Sequence, residues 1–386
     1  MFHGDREDIR RLFPVTQERI HFDHAAEGPL SEPALSEMKR LLQIHSRRGK
    51  VPPEESERVL EEARALSAEL LTASTQEIAF VKNTSEAILI ALSSIPWTPG
   101  DNIVLMEDAF PANIYPLEHL LPDVEKRWVR FNSNSRRNPH EDFLERLEDC
   151  VDKRTRAVSV DWVHYLTGRR LNLKHLGAFC RKKGIFFIVD AIQGLGALHV
   201  DLTEVECDFF CAGASKWLLG PQGTGVLYVG KERFNELRPS NIGWLSAQWQ
   251  SFEDFTVRPG LRPDAARFEE GTSNIIGICG MRENLRIIVR VGPREIEAKV
   301  MRLVRNLALG LLDQGCEILT PMDFLDSGIL CFRSPYLSPS HLWDCLKTSD
   351  VVCSLRQGWV RVSPHFYNTD DEIDVLLDIV REQSKK

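Results

Sequence analysis

The sequence has no long apolar run and no cysteine pattern of the kind that builds a metal site or a disulfide framework. It lacks a stretch of about 18 uncharged apolar residues, the length needed for a membrane-spanning helix. Its first residues are charged where a secretory signal would be apolar. The nine cysteines form no Cys-x-x-Cys pair, and a scattered, odd-numbered set is typical of reduced thiols in a cytosol. We therefore expect a cytoplasmic protein that is neither exported nor inserted in a membrane.

Excess positive charge is also missing. The formal net charge is -8, and the acidic and basic residues are interleaved, so no basic stripe indicates binding to nucleic acid or to an anionic membrane. His21 and His24, with Asp23 between them, lack the spacing of a zinc site, and we expect no metal. Gly194 and Gly196 lack the third glycine of a dinucleotide-binding motif. These absences favour an enzyme with a small-molecule substrate.

The 386 residues are 43% hydrophobic, and a chain of this length usually folds as two domains. Apolar runs alternate with helical patterns from residue 78 to residue 229, which predicts a mainly parallel α/β sheet with its site at the carboxyl ends of the strands. A long helical region over 275–312 and short strands beyond it, including one over 351–355, predict a smaller α+β domain. We expect a large domain at 21–264 and a small domain at 1–20 and 265–386.

Two residues at the ends of predicted strands suggest chemistry. Lys216 follows an apolar strand, where partial desolvation would lower the pKa of its amine and allow it to act as nucleophile and base. An isolated lysine on a loop would more often be simply exposed. Asp190 ends a strand that is apolar at every position, and a carboxylate there could keep a pyridinium nitrogen protonated. The alternative role of Asp190 is to cap a helix. Gln193 could reach the hydroxyl of the same ring.

Five motifs, in this order along the chain, resemble those of class V aminotransferases: Asn83-Thr84-Ser85-Glu86-Ala87, the run from Phe110 to Pro116, Asp190-Ala191-Ile192-Gln193, the run from Ser215 to Pro221, and Glu270-Gly271-Thr272-Ser273-Asn274. The resemblance covers nearly the whole chain. It implies an α/β fold of fold-type I that uses pyridoxal 5′-phosphate (PLP). The family includes cysteine desulfurases, selenocysteine lyases, kynureninase and isopenicillin N epimerase-like enzymes.

The resemblance also implies a role for each matching residue. Desulfurases usually carry histidine before the lysine, whereas this chain has Ser215. The implied roles are a Schiff base with PLP for Lys216, contact with the pyridine nitrogen for Asp190, contact with the ring hydroxyl for Gln193, stacking on the ring for Phe110, phosphate binding for Thr84, Ser85 and Ser215, and binding of the other subunit's phosphate for Thr272. The last role implies a homodimer. A helix N-terminus at Thr84 and Ser85 would suit a phosphate on physical grounds as well, and simple helix capping is their alternative role.

The reaction is less constrained. Arg356 and Arg361 could bind a substrate carboxylate bidentately, and we favour Arg356 over Arg361. Desulfurases place a loop between these arginines, often with a cysteine that accepts sulfur, but residues 357–360 are few and contain no cysteine, and Cys353 lies in a predicted strand. The sequence therefore favours an aminotransferase-like enzyme acting at the α-carbon of an amino acid. The alternatives are β-elimination of the desulfurase or selenocysteine lyase kind, epimerisation and a catalytically silent regulator. His164 and Tyr165 could line the pocket or fill a strand end.

Overall fold

A computed structural model describes residues 6–130, 139–249, 251 and 254–383. The charged first five residues, used above to argue against a signal peptide, lie outside this part. The helices are α1 (Arg6–Arg11), α2 (Val15–Glu18), α3 (Glu32–Arg48), α4 (Pro53–Leu71), α5 (Thr84–Ser94), α6 (Tyr115–Leu120), α7 (Pro139–Cys150), α8 (Leu173–Lys183), α9 (Leu202–Val205), α10 (Ile275–Val291), α11 (Pro293–Asp313), α12 (Pro339–Thr348) and α13 (Asp370–Gln383). The strands are β1 (Ile20–His21), β2 (Ile78–Val81), β3 (Asn102–Met106), β4 (Glu125–Val129), β5 (Thr155–Asp161), β6 (Phe186–Asp190), β7 (Phe209–Gly213), β8 (Gly225–Val229), β9 (Glu317–Ile318), β10 (Leu330–Arg333), β11 (Val351–Val352), β12 (Ser354–Arg356) and β13 (Trp359–Val362). No described helix is both long and apolar enough to cross a membrane.

The central sheet has seven strands in the order β2-β8-β7-β6-β5-β3-β4. All neighbouring pairs are parallel except those of β8, which is antiparallel to β2 and to β7. This is the mainly parallel α/β sheet that the sequence predicted. Because the strands from β3 to β7 run the same way, their carboxyl ends meet at one edge of the sheet.

The core lies on both faces of this sheet, as the apolar run in β6 requires. Side chains alternate between faces along a strand, so Phe187 and Val189 join one hydrophobic cluster while Phe186 and Ile188 join the other. All four are fully buried. Cores on both faces leave the ends of the strands as the place where polar side chains of the sheet can meet a ligand.

A second sheet, antiparallel throughout, has the order β12-β13-β10-β9. β1 pairs in parallel with β11. Arg10 Nη2 in α1 donates to Glu372 Oε1 in α13 at 2.6 Å, so the first described helix contacts the last one. The domain boundaries given above remain a prediction.

The structure differs from the sequence-based expectation at several elements. β4 was not predicted because Glu125 to Val129 is mostly polar and forms the edge of the sheet. α7 was not predicted either. The helical region over 275–312 is two helices, because Gly292 has φ +95° and Pro293 opens α11. The strand expected over 351–355 is two strands, and these belong to different sheets.

Candidate active site

Three candidate residues lie at one edge of the central sheet. β6 ends at Asp190, and Lys216 follows shortly after the end of β7. The N-terminus of α5 is at the same edge, because Gly213, the last residue of β7, donates its N–H to Thr84 Oγ1 at 2.9 Å. The fold thus brings together the predicted lysine, carboxylate and phosphate-binding helix.

Lys216 is partly buried, and its Nζ lies 5.8 Å from the ring centroid of Phe110. Burial lowers the pKa of the amine to about 8, with Asp190 opposing this shift and Arg361 reinforcing it. About a tenth of Lys216 is therefore uncharged at pH 7, several hundredfold more than for an exposed lysine, and the uncharged amine is the nucleophile.

The turn that carries Lys216 is held on several sides. Gly28 donates its N–H to Ser215 O at 2.8 Å and approaches so closely that a Cβ there would overlap the carbonyl oxygen of Lys216. Trp217 Nε1 donates to Gln193 Oε1 at 2.9 Å, and Trp217 O accepts from His365 Nε2 at 2.9 Å. His365 is neutral, since burial lowers its pKa to about 4. Gln193 thus supports the turn, and one of its two amide hydrogens bonds Ala25 O while the other has no partner among the described residues.

Asp190 is only 3% exposed. Its Oδ1 accepts from Ile192 N at 3.0 Å, and its Oδ2 accepts from Asn113 Nδ2 at 3.0 Å. No helix begins at Asp190, so it is not the helix N-cap considered above. Burial raises the pKa of the carboxyl, and the bonds from Ile192 and Asn113 and the charge of Lys216 partly offset this effect.

Thr84 is buried and begins α5, whereas Ser85 is exposed. Asn83 caps the helix by accepting from Glu86 N at 2.9 Å. The first N–H groups of α5 and its positive dipole end remain suited to an anion. Capping by Asn83 leaves neither Thr84 nor Ser85 as the N-cap.

The two arginines differ sharply in environment. Arg361 is 2% exposed, donates from Nη1 to Tyr165 O at 2.8 Å, and has Nη2 3.6 Å from Asp23 Oδ1. Arg356 is exposed, and its one hydrogen bond within the described part of the chain goes to the neighbouring carbonyl of Leu355. Ser354 faces Arg361 across the strands and donates to both oxygens of Asp23, so Asp23 is a fixed counter-charge beside the arginines.

The segment between the two arginines is a tight hairpin. β12 and β13 pair directly, and Gln357 and Gly358 form the turn with φ +47° and +76°. Burial raises the pKa of the neighbouring Cys353 to about 12 and leaves it a poor nucleophile. No cysteine lies within the hairpin.

His164 and Tyr165 serve different purposes. Thr167 donates its N–H to His164 Nδ1 at 3.1 Å, and His164 Nε2 donates to Asp108 O at 2.9 Å, so this buried ring supports the loop before Phe110. The Tyr165 ring meets Phe110 edge-on at 5.5 Å. Tyr165 therefore borders the site, while the His164 ring is engaged in loop contacts.

Thr272 lies on the surface of the chain. It is exposed and lines a surface cleft of about 370 Å³ together with Lys82 and Gly223. Among the described residues, no hydrogen bond joins Thr272 to Lys216, Asp190 or Thr84.

Sequence reasoning missed two buried polar residues, Asp161 and Asn113. Asp161 is the last residue of β5 and pairs with Asp190. The signal was present, since Asp161 ends an apolar run as Asp190 does, but the apolar Trp162 and Val163 that follow make this run look longer than the strand. Nothing in the local sequence singles out Asn113.

The class V aminotransferase family model matches residues 20–376. The chain belongs to this family. A probable cysteine desulfurase of Methanothermobacter thermautotrophicus is 30% identical to it over 97% of each chain, and isopenicillin N epimerase of Streptomyces clavuligerus is 27% identical over 83% of each. The apo structure of a cysteine desulfurase from Thermococcus onnurineus is 26% identical, covers 98% of each chain and superposes with a TM-score of 0.86.

Membership confirms four predictions: the family, the fold-type I α/β fold, PLP as the cofactor, and a PLP-dependent enzyme that acts on an amino acid. The residues present also fit PLP. A helix N-terminus, a lysine of lowered pKa and a buried carboxylate lie at one sheet edge, which are the groups that a phosphate, an aldehyde and a pyridine nitrogen require.

Proposed function

We propose that Lys216 binds PLP covalently and moves the proton at the α-carbon of an amino acid in an aminotransferase-type reaction. The observation that carries the proposal is the Lys216 amine, whose pKa is about 8 and which lies close to buried Asp190. When bound, PLP supplies an electron sink for the negative charge that develops at the α-carbon. Lys216 then holds and returns the proton, for which a pKa near the working pH is favourable.

The other residues of the site would bind and orient. Asp190 would hold the proton on the pyridine nitrogen, Gln193 would donate its free N–H to the ring hydroxyl, and Phe110 would cover one face of the ring. Their positions around Lys216 support these roles. The first turn of α5, with Thr84, Ser85 and Ser215 nearby, would bind the phosphate.

Arg361 is our choice for the substrate carboxylate, with Arg356 second, which reverses the order that the sequence favoured. Arg361 is buried, oriented by Tyr165 O and close enough to influence Lys216. A buried guanidinium that is already held in place loses less side-chain entropy when it binds a carboxylate than an exposed guanidinium does. Water and salt also screen its attraction to the carboxylate less.

A second candidate function is release of sulfur from cysteine by β-elimination. It is favoured by the relative named a probable cysteine desulfurase, which aligns over 97% of each chain. The hairpin at Gln357 and Gly358 and the raised pKa of Cys353 argue against sulfur transfer through a cysteine of this segment. Elimination itself requires no protein thiol.

Mixing the holoenzyme with a panel of amino acids distinguishes these reactions. Transamination converts the bound cofactor to its pyridoxamine form, which changes its absorbance. Sulfide with pyruvate and ammonia, or alanine with its sulfur transferred to an added thiol as persulfide, formed without that change, would instead establish the lyase. Exchange of the α-proton with deuterium alone would establish an epimerase. No spectral change, product or exchange with any amino acid would contradict the proposal.

A further inference from the structure

Two buried carboxyl groups lie side by side at the ends of β5 and β6. Asp161 and Asp190 are register partners in this parallel pair, whose strands run about 4.8 Å apart. Each residue is 3% exposed, and among the described residues their hydrogen bonds come from main-chain N–H groups and from Asn113, none of them a cation. Burying two carboxyl groups next to each other is unfavourable unless hydrogen bonds from other groups stabilise them.

Asn113 joins the two carboxyl groups. Its Nδ2 donates to Asp161 Oδ1 at 2.7 Å and to Asp190 Oδ2 at 3.0 Å. Its Oδ1 is buried and has no donor among the described residues. If the amide of Asn113 were turned round, its oxygen would face the oxygens of both carboxyl groups. The two carboxyl groups therefore fix the orientation of the amide, although this leaves its oxygen without a donor among the described residues.

Asp161 also fixes the main chain at Phe110, because its Oδ2 accepts from Phe110 N at 3.1 Å. One carboxyl group therefore anchors both the aromatic ring beside Lys216 and, through Asn113, the carboxylate of Asp190.

We propose that Asp161 is a positioning residue that, through Asn113 and the Phe110 N–H, aligns Asp190 with the pyridine nitrogen of PLP and Phe110 with its ring. This inference rests on the proposed function. Asp161 itself touches neither cofactor nor substrate in this account. Asn113 is the one side chain among the described residues that donates to Asp190, so the position of Asp190 Oδ2 depends on this hydrogen bond.

The charges around the pair agree with this role. Burial raises the pKa of Asp161 well above its ordinary value, Asp190 and Asp108 add to the shift, and Lys216 opposes it. A cation beside Asp190 offsets the repulsion between the two carboxyl groups. The pair is thus suited to hold a protonated ring nitrogen.

The test uses holoenzyme prepared with PLP labelled with ¹⁵N at the ring nitrogen, whose chemical shift reports protonation directly. In Asp161→Asn an N–H group must face either Asn113 or Phe110, so one of the two contacts that Asp161 makes is lost. We expect the ring nitrogen to lose its proton at a pH about one unit or more lower than in the wild type. PLP should also bind about tenfold or more weakly, as expected when a hydrogen bond to a charged group is removed.

Asn113→Ala removes the bridge while keeping Asp161, and it should move the ring nitrogen titration in the same direction. Ser159→Ala is the matched control, because Ser159 is buried on the same strand and its hydroxyl has no hydrogen-bond partner among the described residues. It should retain the wild-type titration.

An unchanged titration in Asp161→Asn overturns the proposal even if PLP binds more weakly, because a loss of packing alone produces that result. If Asp161→Asn does not fold, Asn113→Ala decides by the same criterion. A wild-type protein that binds no PLP would refute the proposed function itself, which is a distinguishable outcome.

Discussion

At the scale of single residues, the site depends on the ionisation of Lys216. An exposed lysine is almost fully charged at neutral pH, whereas burial of this turn lowers the pKa of the amine to about 8. The nearby histidines add no positive charge, because burial lowers the pKa of His24 and of His365 and keeps both imidazoles neutral.

This ionisation predicts how the apoprotein takes up PLP. Only the uncharged amine attacks an aldehyde, and the lowered pKa means that Lys216 loses its proton as pH rises through about 8. The rate of covalent attachment, followed by absorbance, should rise with pH and level off above about pH 8. A model peptide with an exposed lysine is the control and should continue to gain rate toward pH ~10.4. A protein profile that matches the peptide would show that Lys216 is not desolvated.

Lys216 and Asp190 could be singled out from the sequence because each follows an apolar run, where parallel strands expose their ends. Asn113 could not, because its two acceptors lie 48 and 77 residues further along the chain and only the packed sheet brings them together. The preference for Arg356 over Arg361 had a similar cause. The sequence shows where each arginine stands along the chain but not which of the two is buried.

At the scale of elements, the predictions worked where the apolar pattern was strong. β2 and α8 belong to the alternating region over 78–229, and each is an apolar or amphipathic run closed by polar or glycine residues. β4 gave no such pattern, since an edge strand needs few apolar side chains.

The hairpin of β12 and β13 predicts unequal effects for its arginines. Arg361→Ala should raise KM for the amino-acid substrate by ~30-fold or more, since losing one partner of a buried charged pair costs about 2 kcal/mol or more. Arg356→Ala should have a smaller effect, because an exposed guanidinium is screened by water. Steady-state kinetics of the two variants, each checked for wild-type circular dichroism, measure the difference. A larger increase in KM for Arg356→Ala would reverse our assignment.

At the scale of the whole molecule, we propose a homodimer in the cytoplasm. Thr272 lies in an open cleft that Lys82 and Gly223 also line, and Trp244 and Ile242 are about half exposed. A second subunit would cover such apolar side chains, and its cofactor phosphate would give the exposed Thr272 hydroxyl a partner.

The dimer is tested by sedimentation of the holoenzyme together with PLP binding. We expect a dimer, and we expect Thr272→Ala to weaken PLP binding by roughly 10-fold or more, the loss for one hydrogen bond to a charged phosphate. Thr348→Ala is the control, because Thr348 is equally exposed but lies at the end of α12. A monomer that is fully occupied by PLP would contradict the cross-subunit role.

The central claim is that Lys216 holds PLP. Reducing the holoenzyme with borohydride fixes the cofactor to the amine that carries it, and peptide mapping then identifies that residue. The account predicts a pyridoxyl group on Lys216, in the peptide that contains Trp217, and no label in Lys216→Ala. A label on any other lysine, or no label on wild-type protein incubated with PLP, would contradict it.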